Sequence, residues 1–327
     1  MKINSKINVG ILGGAGYTGG ELLRLLLHHP YVNIQFVHSR SNAGSLLSDI
    51  HTDLIGDTDL RFTATIQTNI DVLFLCLGHG ESIKAIRDLN IDKTIKIIDL
   101  SQDFRLLSHV NTFFIYGLPE LNREAIKKAQ HIANPGCFAT AIQLALLPLA
   151  SQQMILSDVH VSCTTGSTGA GQSLSVNSHY SWRNNNLSVY KAFTHQHLAE
   201  INQSLQQLQQ NMNTAIVMIP QRGSFTRGIL ASLVLKSDKS IEALQEMFTD
   251  YYKEHPFVYL STKNIDLKQV VNTNKCVLYL EKNGDELLIV SIIDNLLKGA
   301  SGQAVQNMNL LFGLAETEGL RLKASAF

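Results

Sequence analysis

Cys137 follows Asn134-Pro135-Gly136 and opens an apolar run that reads as a helix. A thiol at a helix N-terminus lies close to peptide N–H groups that have no intrahelical partner, and these favour the thiolate, the form that attacks carbon. Pro135 and Gly136 shape a sharp entry into that turn. The competing reading is a small apolar side chain at a helix start. Cys76, Cys163 and Cys276 lie in or beside apolar strand-like runs and read as buried bystanders, and four cysteines in 327 residues make no disulfide scaffold. His195 and His197 open a second helical segment that carries Glu200 in its next turn. His197 and Glu200 share a helix face, so the carboxylate is spaced to orient the imidazole for acid–base work. A His-x-His pair is also a fragment of a metal site, but no third ligand stands at a suitable spacing, and no metal is expected.

Near the N-terminus, Gly10-Ile-Leu-Gly13-Gly14-Ala15-Gly16 joins an apolar run to a leucine-rich one. Small residues at such a junction let the backbone turn tightly and let a pyrophosphate approach bare N–H groups at a helix start. The spacing departs from the commonest dinucleotide fingerprint, but the junction is the right one. The next strand-like run ends Val37-His38-Ser39-Arg40-Ser41, without the acidic residue that holds ribose hydroxyls in NAD enzymes. Ser39 and Arg40 suit a 2′-phosphate, so NADP is the expected cofactor. A glycine-rich loop, Gly166-Ser-Thr-Gly169-Ala-Gly171, follows another strand-like run; it can bring backbone donors to a ligand, a signal of little specificity alone.

The elements that must position these residues follow from periodicity. Lys6 to Leu12, Val32 to His38, Asp71 to Leu77 and Ile95 to Leu100 read as strands, with helices over Gly20 to Leu27 and Glu81 to Leu89. Short, continuously apolar strands alternating with helices indicate a doubly wound parallel sheet. After Pro135 the pattern changes. A helix over residues 137–147 precedes strands at Val159 to Cys163, Ala215 to Ile219, Ile229 to Leu235, Cys276 to Glu281 and Glu286 to Ile293. Asn283-Gly284 forms the hairpin turn between the last two, Ile241 to Tyr252 is an amphipathic helix, and Ser301 to Leu314 returns to helix. The glutamines from Gln203 to Gln210 read as the wet face of a helix. The expected architecture is α/β: a Rossmann-type nucleotide-binding domain (1–136, completed by 301–327) and an α+β catalytic and oligomerisation domain of mixed or antiparallel sheet (137–300).

The bulk numbers bound the function. The chain carries 27 basic and 27 acidic residues without a long run of either sign, which argues against a nucleic-acid footprint. The polar N-terminal residues have no signal-peptide pattern and no apolar stretch is long enough to span a bilayer, so a cytoplasmic protein without membrane contact is expected.

Several ordered blocks resemble N-acetyl-gamma-glutamyl-phosphate reductases, whose architecture is like that of aspartate-semialdehyde dehydrogenases. They are Gly13-Gly14-Ala15-Gly16-Tyr17-Thr18-Gly19, Asp99-Leu-Ser101-Gln-Asp103-Phe-Arg105, Tyr116-Gly-Leu-Pro119-Glu120, Asn134-Pro-Gly-Cys137, Gly169-Ala-Gly171, Phe193-Thr-His195-Gln-His197 with Glu200-Ile201, Arg227-Gly228-Ile229, and the run from Asp294-Asn295 through Lys298-Gly299, Gly302-Gln303 and Gln306-Asn307 to Asn309. Phe138-Ala139 stands where the family usually has Tyr-Pro, and the segment from Pro220 to Arg227 lacks a histidine that relatives of the longer type often carry.

The resemblance implies NADPH-dependent reduction of an acyl phosphate in arginine biosynthesis. Cys137 forms a thioester and expels phosphate, and a histidine of the His195/His197 pair serves as acid–base group. His197 is preferred because Glu200 lies one turn away. The resemblance also implies that Tyr17, Thr18, Gly19, Gly169, Gly171, Asn295 and Gln303 join the glycine loop around the cofactor. Arg105, Ser101, Asn134 and Arg227 then meet the substrate, the two arginines sharing phosphate and carboxylate in either order. A homodimer or homotetramer is expected. The rivals are an aspartate-semialdehyde dehydrogenase, a reductase of carrier-linked acyl phosphates, and a nucleotide-binding regulator without catalysis.

Overall fold

The first apolar run forms β1 (Ile7–Leu12), with five of its six residues buried, as a parallel strand covered on both faces requires. α1 (Tyr17–Leu27), β2 (Val32–His38), α2 (Leu47–Ile50), β3 (Phe62–Thr63), β4 (Val72–Leu75), α3 (Glu81–Leu89), β5 (Lys96–Asp99), β6 (Phe114–Tyr116), α4 (Pro119–Lys128) and β7 (His131–Ala133) follow. The seven strands pair in parallel in the order β3-β2-β1-β4-β5-β7-β6, so the order reverses between β1 and β4. In such sheets ligands bind beyond the strand ends at that reversal. The structure, a computed structural model, describes residues 6–89, 91–107 and 113–326.

α1 starts three residues earlier than its leucines suggest. Gly19 and Gly20 weaken helix propensity in the first turn, but packing demands them: a Cβ on Gly19 would stand 2.6 Å from Gly14 O, and one on Gly20 2.6 Å from the His51 ring. α3 is held at its start by Asp103, which accepts N–H bonds from Gly80 (2.7 Å), Ser82 (3.1 Å) and Ile83 (3.3 Å).

The second half forms α5 (Cys137–Ser151), β8 (Val159–Thr165), α6 (Tyr180–Arg183), β9 (Ser188–Val189), α7 (His197–Leu208), β10 (Ile216–Arg222), β11 (Ile229–Lys236), α8 (Ile241–Tyr252), β12 (Val258–Ser261), β13 (Cys276–Asn283) and β14 (Glu286–Ile293). The sheet order is β12-β13-β14-β11-β8-β10-β9. β8 and β10 pair in parallel, as do β12 and β13, and the other neighbours are antiparallel. α5 is buried from Phe138 to Ala150 and packs on α7, β11 and β14. It runs through Pro148, where a helix expected from sequence stops, because proline cannot donate to the carbonyl four residues back. That carbonyl, Leu144 O, accepts instead from the Tyr252 hydroxyl at 2.5 Å. The glutamine stretch is mostly wet, but Gln209 is buried and clamps Ile155, accepting from its N–H at 3.2 Å and donating to its carbonyl at 2.9 Å.

α9 (Gly302–Leu311) returns to the first sheet and packs on α1 and α4. By contacts the chain divides into Met1–Pro135 with Ala300–Arg321 and Gly136–Gly299 with Leu322–Phe327. The tail thus leaves the first unit sooner than the expected 301–327: Ser325 donates its N–H to Val271 O at 3.2 Å and accepts from Asn272 Nδ2 at 2.8 Å. Among the described residues no helix is long and apolar enough to cross a membrane.

Candidate active site

In the second unit, Cys137 is the first residue of α5, and Gly136 caps the helix in extended conformation, with no acidic side chain in the first turn to oppose a thiolate. Two glycines make room for the reacting groups. A Cβ on Gly136 would lie 2.3 Å from His197 Nε2, so the imidazole rests on the bare Cα of the residue before the nucleophile. A Cβ on Gly299 would lie 2.8 Å from Cys137 Cβ. α7 begins at His197, and its first turn carries Glu200, 2% exposed. Glu200 Oε2 accepts the Gly136 N–H at 2.9 Å, while Oε1 stands 3.9 Å from His197 Nε2. The carboxylate therefore anchors the backbone in front of Cys137 at hydrogen-bond length, and its other oxygen stands at ion-pair length from the imidazole.

His195 lies beside this group, its ring centroid 4.5 Å from that of His197, and its Nδ1 accepts the His197 N–H at 3.2 Å. Burial, then Lys191 and Arg222, push its pKa down to about 4 against the opposing pull of Glu200, so it is neutral at pH 7. Phe138 packs edge-on to both imidazoles. Tyr190 meets His195 edge-on at 5.8 Å, and its hydroxyl is pushed up by burial and then by the charge of Cys137. Arg222 lies over the Tyr190 ring, its guanidinium carbon 4.3 Å from the centroid. Tyr190 and Arg222 were not singled out from sequence. The short β9–β10 pairing that sets Arg222 opposite Ser188 leaves no periodic signal.

The loop over residues 166–171 is stitched inward. Ser167, Thr168, Gly169 and Gly171 donate their N–H groups to Phe225, Thr226, Gly166 and Thr168 carbonyls respectively, so the donors expected to face a ligand at Gly169 and Gly171 have internal acceptors. Asn295, expected at the cofactor, uses both ends of its amide here, accepting from Gly228 N at 2.7 Å and donating to Thr168 Oγ1 at 3.0 Å. Arg227, an expected anion ligand, forms a two-pronged pair with the fully buried Asp294 at 3.0 and 3.1 Å. That geometry satisfies the guanidinium fork with a carboxylate of the chain itself.

In the first unit, Gly13 has φ +75°, and a Cβ there would stand 2.3 Å from Cys76 O. A Cβ on Gly14 would meet Val37 at 2.2 Å, whereas one on Gly16, the cap of α1, would touch only Gly13 O at 3.8 Å. Bare backbone at the start of α1, beyond the end of β1, fits a dinucleotide pyrophosphate. His51 Nε2 bonds Gly14 O at 2.8 Å and steadies the loop, a contact across 37 residues that no motif announces. Gly10 lies in mid-strand, where a Cβ would strike Phe36 at 2.5 Å, and the β1–β2 register shifts beside it. Tyr17 is half-exposed, Ala15 lies in the turn, and Thr18 O accepts from Ser301 Oγ at 2.8 Å. Gln303 is fully buried in α9. Ser39 is buried with its hydroxyl accepting from Asn42 Nδ2 at 3.0 Å, and Arg40 is exposed.

The expected substrate residues Ser101, Asn134 and Arg105, like Arg227, have hydrogen-bond partners within the chain. Ser101 donates to Asp99 Oδ2 at 2.7 Å, and burial raises the Asp99 pKa against that help. Asn134 donates to Ala300 O at 3.0 Å and accepts from Asn307 Nδ2 at 3.1 Å. Arg105 donates to Asn134 O at 2.8 Å and Leu100 O at 2.9 Å, fixing the segment that leads to Cys137. None of the four cysteines is in a disulfide, and Cys76, under burial, is pushed up to about 12.

Comparison with known proteins agrees with this arrangement. Residues 8–129 match the family described as semialdehyde dehydrogenase, NAD binding domain, and residues 137–295 match semialdehyde dehydrogenase, dimerisation domain. Aspartate semialdehyde dehydrogenase II from Vibrio cholerae, complexed with ASA, has the same fold, with a TM-score of 0.74 at 16% identity over 95% of this chain and 99% of that one. N-acetyl-gamma-glutamyl-phosphate reductase of Flavobacterium johnsoniae is 58% identical over 98% of this chain and its own full length, and that of Bacteroides thetaiotaomicron is 59% identical over the same shares. The chain belongs to the N-acetyl-gamma-glutamyl-phosphate reductase family.

Proposed function

We propose that this chain reduces N-acetyl-gamma-glutamyl phosphate to N-acetyl-glutamate 5-semialdehyde and phosphate, a step of arginine biosynthesis, with NADPH as the reductant. The observation that carries the reading is an imidazole seated on Gly136, directly before a cysteine that opens a helix. Cys137 attacks the acyl carbon, forms a thioester and releases phosphate. The reduced nicotinamide, when bound, supplies the hydride that turns the thioester into the aldehyde. His197 takes the thiol proton as Cys137 attacks and returns it to the Cys137 sulfur as the thiohemiacetal collapses to the aldehyde. His195, held neutral, is the poorer proton donor at pH 7 and positions the His197 backbone. Glu200 holds the turn through Gly136.

The loop Gly13 to Gly16 with His51 would hold the pyrophosphate, and Ser39 and Arg40 the 2′-phosphate that distinguishes NADP from NAD. No acidic residue follows β2 to take ribose hydroxyls. Arg105 remains the candidate for the leaving phosphate. The working form is a cytoplasmic homodimer or homotetramer; the dimerisation-domain match and four cysteines outside disulfides support that reading. The test runs the reaction backward with phosphate and NADP, comparing N-acetyl-glutamate 5-semialdehyde with aspartate semialdehyde. Preference for the first is expected, and preference for the second overturns the substrate.

A further inference from the structure

Arg183, the last residue of α6, is 9% exposed. Its Nη2 donates to Arg222 O at 2.6 Å and Asn186 O at 3.1 Å, while Nε and Nη1 are buried without a hydrogen-bond partner among the described residues. A buried guanidinium with idle donors is costly unless an acceptor arrives. Burial, and then the charge of a second cation, Arg222, hold Arg183 below the usual arginine range. Lys191 adds positive charge on the His195 side. The connecting segment is held in an unusual shape: Asn185, Lys191 and Phe193 have φ of 51°, 45° and 62°, a region that non-glycine residues enter at a cost and that clusters at functional sites.

Ring contacts connect this cationic pair to the reacting groups. From His197 the rings of His195 and Tyr190 follow at centroid steps of 4.5 and 5.8 Å, and the Arg222 guanidinium carbon lies 4.3 Å from the Tyr190 centroid. Two rings thus connect Arg222 to His197, the proposed acid–base group at the carbon attacked by Cys137. The phosphate is bonded to that carbon, whereas the α-carboxylate of a glutamyl group is two methylenes and the α-carbon away from it.

Resting on the reaction proposed above, we infer that Arg183 and Arg222 form a carboxylate subsite that grips the α-carboxylate of the acyl substrate. Arg227, neutralised by Asp294, has no such role. Arg222, braced by Tyr190 and by the Arg183 bond to its carbonyl, presents its fork, and the idle Arg183 donors complete the acceptor's shell. The subsite selects acyl phosphates that carry an acidic amino-acid end.

The test uses the full-length enzyme in the reverse direction with phosphate, NADP and N-acetyl-glutamate 5-semialdehyde, comparing Arg222→Leu, Arg183→Gln and the charge-keeping Arg222→Lys. Loss of a charge-assisted, two-pronged contact raises the semialdehyde KM by about 10- to 100-fold in Arg222→Leu, with less change in Arg222→Lys. The phosphate KM stays within about twofold, since uniform binding of one group is lost without touching the other. The α-methyl ester of the semialdehyde reproduces the defect in the parent enzyme, and Arg222→Leu no longer tells ester from acid. A rise in phosphate KM instead assigns the pair to the leaving group and overturns the inference, as does undiminished discrimination between acid and ester in Arg222→Leu. A change of oligomeric mass with unchanged KM assigns Arg183 to a subunit contact, which also overturns it. Failure of the parent enzyme to turn over the semialdehyde removes the proposed reaction itself.

Discussion

Gly136→Ala isolates the seat of the histidine from every other requirement of the site. The glycine sits at φ −73° and ψ 151°, a conformation open to any residue, so the substitution strains no backbone. The added Cβ, however, would stand 2.3 Å from His197 Nε2 and 2.6 Å from Cε1. Carbon contacts settle near 3.5 Å, so the ring must retreat by roughly 1 Å. It has little room, being 7% exposed, 4.5 Å from the His195 ring and 3.9 Å from Glu200. Overpacking of this kind costs about 1–3 kcal/mol of stability, and a catalytic group misplaced by about 1 Å loses roughly 100-fold in rate. The expected outcome is a fall of about that size in kcat, with the dissociation constant for NADPH unchanged. Alkylation of Cys137 by iodoacetamide should persist, because the thiol itself is untouched. A kcat within about threefold of the parent in folded Gly136→Ala would show that the ring on Gly136 is packing and not machinery.

Tyr252→Phe should lower stability by about 1–3 kcal/mol, because Leu144 O loses its donor beside Pro148; chemical denaturation reads this, and an unchanged midpoint contradicts it. His195 has its folded pKa below the ordinary 6.5, so its contribution is fully present above that pH and is lost as pH falls toward about 4. Stability of the parent should therefore drop across that window by at most about 3 kcal/mol, and His195→Asn should flatten the drop; parallel curves refute the assignment. Arg40→Asp should raise the KM for NADPH at least about tenfold while barely affecting NADH. Equal effects on both cofactors would show that Arg40 does not read the 2′-phosphate.

Much of this was legible in the residues, for identifiable reasons. The strands of the first sheet are short apolar runs between helices, and β2, α3, α8 and β14 have the bounds that periodicity assigns. Cys137, His197 and Glu200 were legible because helix starts and three-residue spacing have local signals. Helix continuation through Pro148 was not, since its replacement donor comes from Tyr252, more than a hundred residues away. β6, α4 and β7 were missed for a related reason: strands of three residues, Phe114–Tyr116 and His131–Ala133, are too short to show a period. Polar residues of the shared motifs are the hardest to assign from sequence. Ser101, Asn134, Asn295 and Arg227 look like ligand contacts in sequence, but each has hydrogen-bond partners inside the chain. Buried polar groups must be paired somewhere, and sequence does not say whether the partner is substrate or backbone.

The central claim is a covalent acyl group on Cys137, and trapping it is the most direct measurement. Enzyme mixed with N-acetyl-gamma-glutamyl phosphate and no reductant, then quenched in acid, should gain the mass of one N-acetyl-glutamyl group per chain. The adduct should map to the peptide containing Cys137, with phosphate released in equal amount. Cys137→Ser should show neither the thioester nor the burst of phosphate while still binding NADPH. An unmodified Cys137 peptide, or an undiminished burst in Cys137→Ser, would contradict the account.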